Sequence, residues 1–309
     1  MNCNLSKRKD YKSKQSSFIG IAIALILLCT TLMVVQSSFA NTKRGFLVGI
    51  SKYENANNAS WHNINGANDV ALLAKTLKSQ SFEVKSITNN DATANNIRKG
   101  LKSLQRKCRA GDIVYIHFSC HGQPFEDFNG DENDGWDEAL IPVDAPKNYK
   151  KGAYEGKNHI TDDELNLYFN SIRKTVGPKG FVCVVIDACH AGSSYRSEDE
   201  DSVIIRGTDT PFTINNKHYA PRIDKRGKIK IEKAADMANI CVLEACRSYQ
   251  VNSEIKVNGN YYGSLSYYVN KVMESMANIT EPKWSESVRS LMNKDRRLVR
   301  QNIVIESTF

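Results

Sequence analysis

The sequence predicts an α/β fold built around one mostly parallel sheet. Three observations predict it: short, continuous apolar runs recur along the chain, segments with helical spacing separate them, and no internal repeat breaks the alternation. Continuous apolar runs are typical of strands that are buried on both faces, as the strands of a parallel sheet are. Helices between such strands then cover the two faces of the sheet.

The first half of the chain supplies three strands and two helices in alternation. The apolar run Phe46–Ile50 predicts the first strand, and apolar residues then recur at helical spacing over Val70–Leu77. Phe82–Ile87 predicts a second strand, followed by a helix around Ile97–Leu104. Asp112–Phe118 predicts the third strand, because its apolar run is continuous and contains β-branched residues.

The second half continues this alternation on both sides of one long irregular segment. Its predicted elements are a strand-like run Ala139–Val143, a helix near 161–174, strands Phe181–Ile186 and Asn239–Leu243, helices around Leu265–Met276 and 284–298, and a last strand Ile303–Ile305. Residues 193–236 are rich in charge, carry Pro211 and Pro221, and show little periodicity. Such a stretch is usually functional or disordered, and we interpret it as a loop that interrupts one sheet rather than a boundary between two domains.

The composition is that of an ordinary globular protein, with 41% apolar and 25% charged residues among 309. The formal net charge is +8, but residues 1–40 hold five of the 42 basic side chains and one of the 34 acidic ones, which leaves +4 for the remainder. The sequence contains no basic stripe with interleaved aromatic residues. We therefore expect no nucleic-acid partner.

The N-terminus has the pattern of an export signal. A basic start is followed by the apolar run Phe18–Val35 and by small residues, Ser38 and Ala40, at the positions that precede cleavage. Cleavage after Ala40 would leave residues 41–309 as a mature domain in the periplasm or outside the cell. The run is close to the ~20 residues that span a bilayer, so an uncleaved membrane anchor is the alternative.

Removal of that segment would leave six of the eight cysteines. Export permits disulfides, but six thiols in a domain of this size are too few for a disulfide scaffold. Cys183 and Cys241 lie inside apolar runs. We interpret both as buried small hydrophobic side chains.

Two of the predicted strands end in reactive residues. His121 follows the third strand in the sequence Ser-Cys-His-Gly, and Cys189 follows the strand Phe181–Ile186 in the sequence Asp-Ala-Cys-His-Ala-Gly. Since sites in open α/β sheets lie beyond the carboxyl ends of the strands, both residues reach one crevice. A thiol needs a nearby base, so the pair predicts Cys189 as nucleophile and His121 as base. The backbone N–H groups of Gly122 and Cys189 are the predicted oxyanion donors.

A zinc site is the alternative that these residues leave open. Four ligands of the kind that zinc prefers are Cys120, His121, Cys189 and His190. Neighbouring residues of an extended chain point to opposite sides, however, and zinc ligands usually stand two to four residues apart. The pattern therefore favours a nucleophile over a metal.

The two motifs resemble the histidine and cysteine motifs of the metacaspases, which belong to the caspase-like cysteine peptidases. Further segments that carry the resemblance are Gly66–Val70 after the first strand, the acidic stretch Gly130–Glu138 leading to Ile141–Asp144, and later Glu244–Ser248 and Tyr262–Ser266. The resemblance is strong over 44–195 and weaker over 237–309. This sequence departs from the family pattern at Cys120, where a glycine is usual, and at Ala191, where a serine is common.

The resemblance implies a caspase-like fold, a sheet of about six strands with helices on both faces. Residues 44–195 then form the large-subunit-like part, 196–236 a charged loop, and 237–309 the small-subunit-like part of a monomer. It also implies an endopeptidase in which Cys189 forms an acyl-enzyme while His121 assists proton transfer.

Specificity for Arg or Lys before the cleaved bond follows from the same resemblance. Asp187 stands where caspases, which cut after aspartate, carry a glutamine. A carboxylate there suits a basic side chain, and the resemblance places Asp69 and Ser119 in the same pocket. The alternative for Asp69 is an acid in the first turn of a helix. The expected partner is thus a peptide or protein with Arg or Lys before the scissile bond.

No cofactor is required for this chemistry, but the resemblance implies calcium ligands. By position they are Asp137, Asp162 and Asp163, whose hard oxygen atoms are of the kind that calcium requires. A fourth ligand is expected where Arg196 stands, with Glu198 or Asp199 as substitutes. As the alternative, Asp162 and Asp163 simply favour the start of a helix.

The charged loop is also the predicted place of self-cleavage, since nicking concentrates at exposed loops. Its basic residues are Arg196, Arg206, Lys217, Arg222, Lys225, Arg226, Lys228, Lys230 and Lys233. A solvated loop without this role is the alternative. For the whole chain, the alternative to a peptidase is a catalytically silent caspase-like module that only binds.

Overall fold

The computed structural model describes residues 41–53, 61–130, 132, 134–190, 204–220, 229 and 231–309. The predicted export signal, residues 1–40, lies outside this part of the chain, so its cleavage or its use as an anchor stays a prediction. Among the described residues, no helix is both long and apolar enough to span a membrane.

Six strands form the central sheet, which confirms the predicted α/β fold with a mostly parallel sheet. Their spatial order is β11 (Val304–Ser307), β8 (Asn239–Glu244), β7 (Phe181–Asp187), β3 (Ile113–Ser119), β1 (Lys43–Gly49) and β2 (Phe82–Thr88). Neighbours are parallel except β11 and β8, which are antiparallel. The last predicted strand is therefore an antiparallel edge strand.

Five helices of the described chain pack on the two faces of this sheet. They are α1 (Gly66–Ser79), α2 (Ala94–Lys107), α3 (Asp162–Val176), α4 (Ser264–Ser275) and α5 (Pro282–Lys294). Since alternate residues of a strand face opposite sides, Val184 of β7 lies in the core beneath α2 and α3. Its neighbour Val185 lies in the core beneath α1, α4 and α5.

Threonines begin two of these helices. The hydroxyl oxygen of Thr93 accepts a hydrogen bond from the backbone N–H of Asn96 at the start of α2, and Thr161 does the same for Glu164 at the start of α3. Each bond satisfies one of the N–H groups that a first helical turn leaves without an intrahelical partner.

Two smaller sheets accompany the central one. The strands of the first are β4 (His121–Glu126), β5 (Trp136–Ile141) and β6 (Ile160–Thr161), and those of the second are β9 (Glu254–Val257) and β10 (Asn260–Gly263). The predicted run Ala139–Val143 thus begins within β5, outside the central sheet. The turn between β9 and β10 has positive φ at Asn258 (49°) and Gly259 (82°), the geometry that an Asn-Gly pair favours in hairpins.

The carboxyl ends of β1, β3 and β7 meet at one edge of the central sheet. The register pairs Gly49 with Ser119, and Ser119 with Asp187. The segments that contain His121 and Cys189 therefore leave the sheet at the same level, as the sequence predicts.

None of the six cysteines of the described residues forms a disulfide, and all six are buried. Cys183 and Cys241 are 0% and 1% exposed and lie in the core beneath α1, α4 and α5. This confirms that both are buried small hydrophobic side chains.

Candidate active site

His121 lies at the first position of β4, and its ring is held by backbone and aromatic contacts. Nε2 lies 2.8 Å from the carbonyl oxygen of His62, and the ring lies between Trp61 and Tyr53, with centroids 5.0 and 4.9 Å away. A carbonyl oxygen only accepts, so Nε2 carries the proton and Nδ1 keeps a lone pair. Nδ1 makes no hydrogen bond to the described residues. Burial, together with His62, lowers the pKa of His121 well below its ordinary value, so the ring is neutral near pH 7.

Cys189 follows the end of β7 by two residues and is fully buried. Its thiol donates to the carbonyl oxygen of Gln250 at 3.0 Å, and its Sγ lies 3.5 Å from the Sγ of Cys246. Since Nδ1 of His121 has no partner among the described residues, the thiol is not hydrogen-bonded to that nitrogen.

The backbone N–H of Cys189, one of the two predicted oxyanion donors, already makes a hydrogen bond. The N–H of Cys189 donates to the carbonyl oxygen of Arg206 at 2.8 Å. Gly122, the other predicted donor, lies against the same residue, because a Cβ on Gly122 would stand 2.6 Å from the carbonyl oxygen of Cys189. The role of the Gly122 N–H stays a prediction.

The three predicted pocket residues meet around one guanidinium, that of Arg206, which is 0% exposed. Its Nη2 lies 2.7 Å from Oδ2 of Asp69, its Nη1 lies 2.5 Å from Oγ of Ser119, and Nη1 lies 3.7 Å from Oδ1 of Asp187. The chain therefore fills its own acidic pocket with one of the basic residues of the charged loop.

The strands and α1 bring these residues together. Asp69 lies in the first turn of α1, and Ser119 and Asp187 are the last residues of β3 and β7, where the register places them side by side. The alternative interpretation of Asp69 is thus correct about its position. Because its carboxylate is fully buried and accepts from Ser119 and Arg206, it does more than begin a helix.

Two further residues complete the pocket, and sequence reasoning missed the role of both. Oε1 of Glu254 lies 3.1 Å from Nε and 2.9 Å from Nη2 of Arg206. A Cβ on Gly263 would overlap Oδ2 of Asp187 and stand 2.5 Å from Nη1 of Arg206. Gly263 belongs to the family-like segment Tyr262–Ser266, which was a usable signal. No sequence signal marked Glu254, since a lone acid at the start of a short strand usually faces solvent.

The pKa values of the two aspartates in the pocket are shifted in opposite directions. Burial raises the pKa of Asp69 to about 7, against the lowering effect of Arg206. Burial also acts to raise the pKa of Asp187, but Arg206 and hydrogen bonds from Asn252 and Ser266 bring it below the ordinary value. Asp187 is thus a permanent negative charge near neutral pH, whereas Asp69 is close to its titration point.

The backbone around Arg206 lies like an added strand. Ile205 forms an antiparallel bridge with Ser253, the N–H of Arg206 donates to the carbonyl of Asn252 at 3.0 Å, and the N–H of Glu254 donates to the carbonyl of Ile204 at 2.9 Å. Strand addition of this kind is a common way to bind an extended peptide. Gly207 follows against Cys189, and a Cβ on it would stand 3.2 Å from the Cβ of Cys189.

The downstream side of this segment is held by an aromatic cluster. Phe212 is fully buried and stacks on Phe125 with ring centroids 5.0 Å apart, next to Tyr154 and His159. Its backbone N–H donates to the carbonyl of Pro124, and its carbonyl accepts from Glu126. Both sides of the Arg206–Gly207 bond are therefore anchored, with the bond itself at Cys189.

A family model described as the caspase domain matches residues 42–308 of the chain. The chain belongs to the caspase-domain family. This match covers the central sheet, both candidate reactive residues and the whole pocket.

Proteins named metacaspases are similar to parts of this caspase-domain chain. It is 33% identical to Metacaspase-2 of Arabidopsis thaliana over 158 residues and 39% identical to Metacaspase-3 of the same plant over 133 residues. These alignments cover 49% and 38% of the chain but 35% and 33% of the relatives, so the chain spans about a third of their length. Metacaspase-1 of Meyerozyma guilliermondii is 22% identical, with 86% of this chain and 68% of that protein covered.

A solved structure has the same caspase-type architecture. The crystal structure of a protein from Geobacter sulfurreducens superposes with a TM-score of 0.59 at 17% identity, covering 86% of this chain and 93% of that one. At this identity the likeness concerns the fold alone. The caspase-domain match and the metacaspase relatives support a metacaspase-like member of the family.

The predicted calcium ligands lie near one another, but they do not form an ion site with the described residues. Oδ1 of Asp162 accepts from the N–H of Glu138, and Oδ2 of Asp163 accepts from the amide of Asn129. Burial and the neighbouring carboxylates, Glu138 first and then Asp137, raise the pKa of Asp162 well above its ordinary value.

Among the described residues, no group of three or more His, Cys, Asp or Glu side chains is placed to hold a metal ion. The structure thus lends no support there to zinc or calcium. Both Asp162 and Asp163 do occupy the first turn of α3, as the alternative interpretation has it. The expected substitutes for the fourth calcium ligand, Glu198 and Asp199, lie outside the described residues.

Proposed function

We propose that the chain is a cysteine endopeptidase that hydrolyses peptide bonds after Arg or Lys, with Cys189 as nucleophile and His121 as base. One observation on Arg206 carries the proposal. Its guanidinium lies in a pocket of Asp69, Ser119 and Asp187, while its backbone carbonyl oxygen accepts a hydrogen bond from the N–H of Cys189. The arrangement is that of a bound substrate. The metacaspase relatives support the same reaction class.

The reaction begins with movement of the thiol of Cys189 from the Gln250 carbonyl toward His121. Nδ1 of His121 takes the proton, and the sulfur attacks the carbonyl carbon of the Arg or Lys residue. The N–H of Cys189, with that of Gly122, stabilises the negative charge on the carbonyl oxygen. Nδ1 then returns the proton to the leaving amine, and a thioester remains on Cys189. Water, deprotonated by His121, releases the carboxylate product.

The bond held at this site is Arg206–Gly207, so we propose that the chain is made in a self-blocked form and cuts itself there. The preceding residues pair with β9, and Phe212 fixes the following ones, so the bond is presented without a diffusional search. Cleavage would end the covalent link between Arg206 and the anchored residues that follow it, so the new C-terminus could leave the pocket. A peptide substrate could then take its place.

Self-cleavage is tested by incubating the purified chain and sequencing the N-termini of its fragments. We expect a fragment that begins at Gly207, and we expect Arg206→Ala to remove this cut because the pocket loses its cation. Arg222→Ala, in the same loop, is the matched control and should keep the cut. A cut after Arg222 or another loop residue, with Arg206–Gly207 intact, would contradict the assignment.

Turnover of small peptides separates a peptidase from a silent binding module. We expect a fluorogenic peptide with Arg before the reporter to be hydrolysed, and the matching peptide with Asp to be left intact, because three buried carboxylates repel an acid. Hydrolysis of neither peptide, by chain cut or uncut at Arg206, would favour the silent module.

The pH dependence should report the ionisation of Asp69. A pKa raised to about 7 means that a fraction of Asp69 is protonated near neutral pH, and departure of Arg206 removes the influence that lowers this pKa. We expect kcat/KM for an Arg peptide to rise as the pH increases above about 7, where Asp69 ionises. Asp69→Asn should lower kcat/KM and remove this rise, whereas the ionisation of the thiol stays in both profiles. Profiles of identical shape would contradict a pocket role for Asp69.

Calcium stimulation and export stay proposals that rest on the sequence. If Asp137, Asp162 and Asp163 hold calcium, the ion would offset the burial and the carboxylate repulsion that raise the pKa of Asp162, and activity should fall with a chelator and return with calcium. Unchanged activity in the chelator would rule out such a requirement. Export from the cytoplasm rests on residues 1–40, whose apolar run precedes the described domain.

A further inference from the structure

Glu254 contacts the part of the guanidinium that distinguishes Arg from Lys. Its Oε1 lies 3.1 Å from Nε of Arg206, and that nitrogen has no counterpart in Lys, where a carbon stands at the same place along the side chain. Asp69 and Ser119 contact only the terminal nitrogens. Glu254 is therefore the pocket residue that accepts a hydrogen bond from Nε, the nitrogen that Lys lacks.

Glu254 is held by contacts other than those to Arg206. Oε1 accepts from the backbone N–H of Asn65 at 2.7 Å, and Oε2 accepts from the Asn65 side-chain amide at 2.6 Å. Glu254 is 8% exposed and starts β9, whose backbone also pairs with the Arg206 segment. A carboxylate held at both oxygen atoms cannot follow a shorter ammonium group into the pocket.

We propose that Glu254 is a specificity-determining residue that makes this site prefer Arg over Lys. The inference rests on the proposed function and sharpens it, since the motif residues Asp69, Ser119 and Asp187 by themselves suit either cation. Arg makes two hydrogen bonds to Oε1 of Glu254, through Nε and Nη2. Lys can make one at most, because only its terminal nitrogen carries protons.

The test compares two fluorogenic peptides that differ only in Arg or Lys before the reporter. Wild type should prefer Arg, and Glu254→Gln should lower kcat/KM for Arg by about 10-fold or more with a much smaller change for Lys, since two charge-assisted bonds become weaker ones. Glu286→Gln, an exposed acid on α5, is the matched control and should keep the preference. An equal loss for both peptides would overturn the inference and leave the proposed function standing.

A second measurement does not depend on turnover. In a Cys189→Ala chain that stays uncut, Arg206→Lys and Glu254→Gln should have strongly non-additive effects on the free energy of unfolding, because each removes the partner of the other. Additive effects would overturn the inference. If wild type hydrolysed neither peptide, the proposed function would fail, and this cycle would still decide whether Glu254 is energetically coupled to the guanidinium of Arg206.

A different observation concerns the sulfur of Cys189. The thiols of Cys189 and Cys246 both point at the carbonyl oxygen of Gln250, at 3.0 and 3.4 Å, and their sulfurs are 3.5 Å apart. Cys246 follows β8 by two residues, as Cys189 follows β7, so parallel neighbours deliver the two thiols to one place. The sulfurs of a disulfide lie ~2.05 Å apart, so these two sulfurs stand within about 1.5 Å of that separation.

We infer that Cys246 is a resolving cysteine that locks Cys189 in a reversible disulfide when a peroxide is present. The Cys189 thiolate attacks the peroxide, forming a sulfenic acid and releasing one water after protonation. Cys246 attacks the sulfenic sulfur, and the second water leaves as the S–S bond forms. Two thiols thus reduce one hydrogen peroxide to two waters. A dithiol reductant reverses the lock.

Hydrogen peroxide is the probe for this lock. After treatment, non-reducing mass spectrometry of the native chain should show a peptide pair joined through Cys189 and Cys246. Arg-peptide turnover lost to excess peroxide should return with dithiothreitol in wild type. In Cys246→Ser the sulfenic acid is not trapped and is oxidised further to sulfinic acid, so the recovered fraction of turnover should be at least 10-fold smaller. Cys108→Ser, a buried thiol at the end of α2, is the matched control and should behave as wild type. Absence of the joined peptide from oxidised wild type would overturn the inference, whatever the activity.

Discussion

Replacement of Cys189 with alanine is expected to lower kcat/KM for an Arg peptide by at least about 10³-fold, and to leave the Arg206–Gly207 bond intact. The alanine keeps the backbone N–H that binds the carbonyl of Arg206 but removes the sulfur that attacks it. Steady-state kinetics with the peptide, together with electrophoresis of the incubated chain, measures both effects. Circular dichroism of the variant excludes a loss of fold as the cause.

Cys120 provides the matched control for this experiment. It is also a buried thiol, directly before His121, and burial raises its pKa to about 12, so it stays protonated and unreactive near neutral pH. Cys120→Ala should therefore keep turnover within about 10-fold of wild type. If Cys120→Ala abolished turnover and Cys189→Ala did not, the nucleophile would be wrongly assigned.

Replacement of Gly263 with alanine is the second change with a large expected effect. The added Cβ would overlap Oδ2 of Asp187 and stand 2.5 Å from Nη1 of the bound guanidinium, so the methyl group and the cation compete for one space. We expect kcat/KM for an Arg peptide to fall by about 10²-fold or more, since separating a buried cation from its partners costs about 3–5 kcal/mol. Self-cleavage at Arg206 should slow in parallel.

Gly45→Ala on β1 is the control for the Gly263 variant. Its new Cβ would stand 3.3 Å from a methyl group of Val84, a contact that side-chain movement can relieve, and it lies away from the pocket. Its kinetics should match wild type. Its melting temperature, measured alongside, compares the stability of the two variants. Full turnover of the Arg peptide by Gly263→Ala would mean that the guanidinium does not bind where Arg206 lies.

The fold and the placement of the two candidate reactive residues were predictable because their signals are local. The strand that ends at Asp187 is a continuous apolar run, and it can only be buried in a sheet covered on both faces. Parallel strands then place their following residues at one edge, which brings the segments of His121 and Cys189 together whatever the connections between them. The run at Ala139–Val143 shows the limit of this signal. Residues 139–141 lie in β5 of a separate antiparallel sheet, because burial alone does not determine which sheet an apolar run joins.

The pocket was predictable only in part, for a physical reason. Asp69 and Asp187 stand in recognisable motifs at the ends of regular elements. Glu254 and Cys246 reach the site through a hairpin and a strand more than 50 residues further along the chain than Cys189. Their approach depends on how those elements dock, which no periodicity encodes.

By itself, the sequence determined the α/β class and the strand ends that precede Cys189 and His121, because each follows from burial within a few residues. The acidic character of the pocket was implied by the resemblance to the metacaspases. Only the tertiary structure decided that Arg206, among nine basic residues of the loop, fills that pocket. It also decided that Glu254 meets the inner nitrogen and that two thiols touch. These outcomes are contacts between segments far apart in the chain, and their free energy depends on the complete packing of both partners rather than on either local sequence.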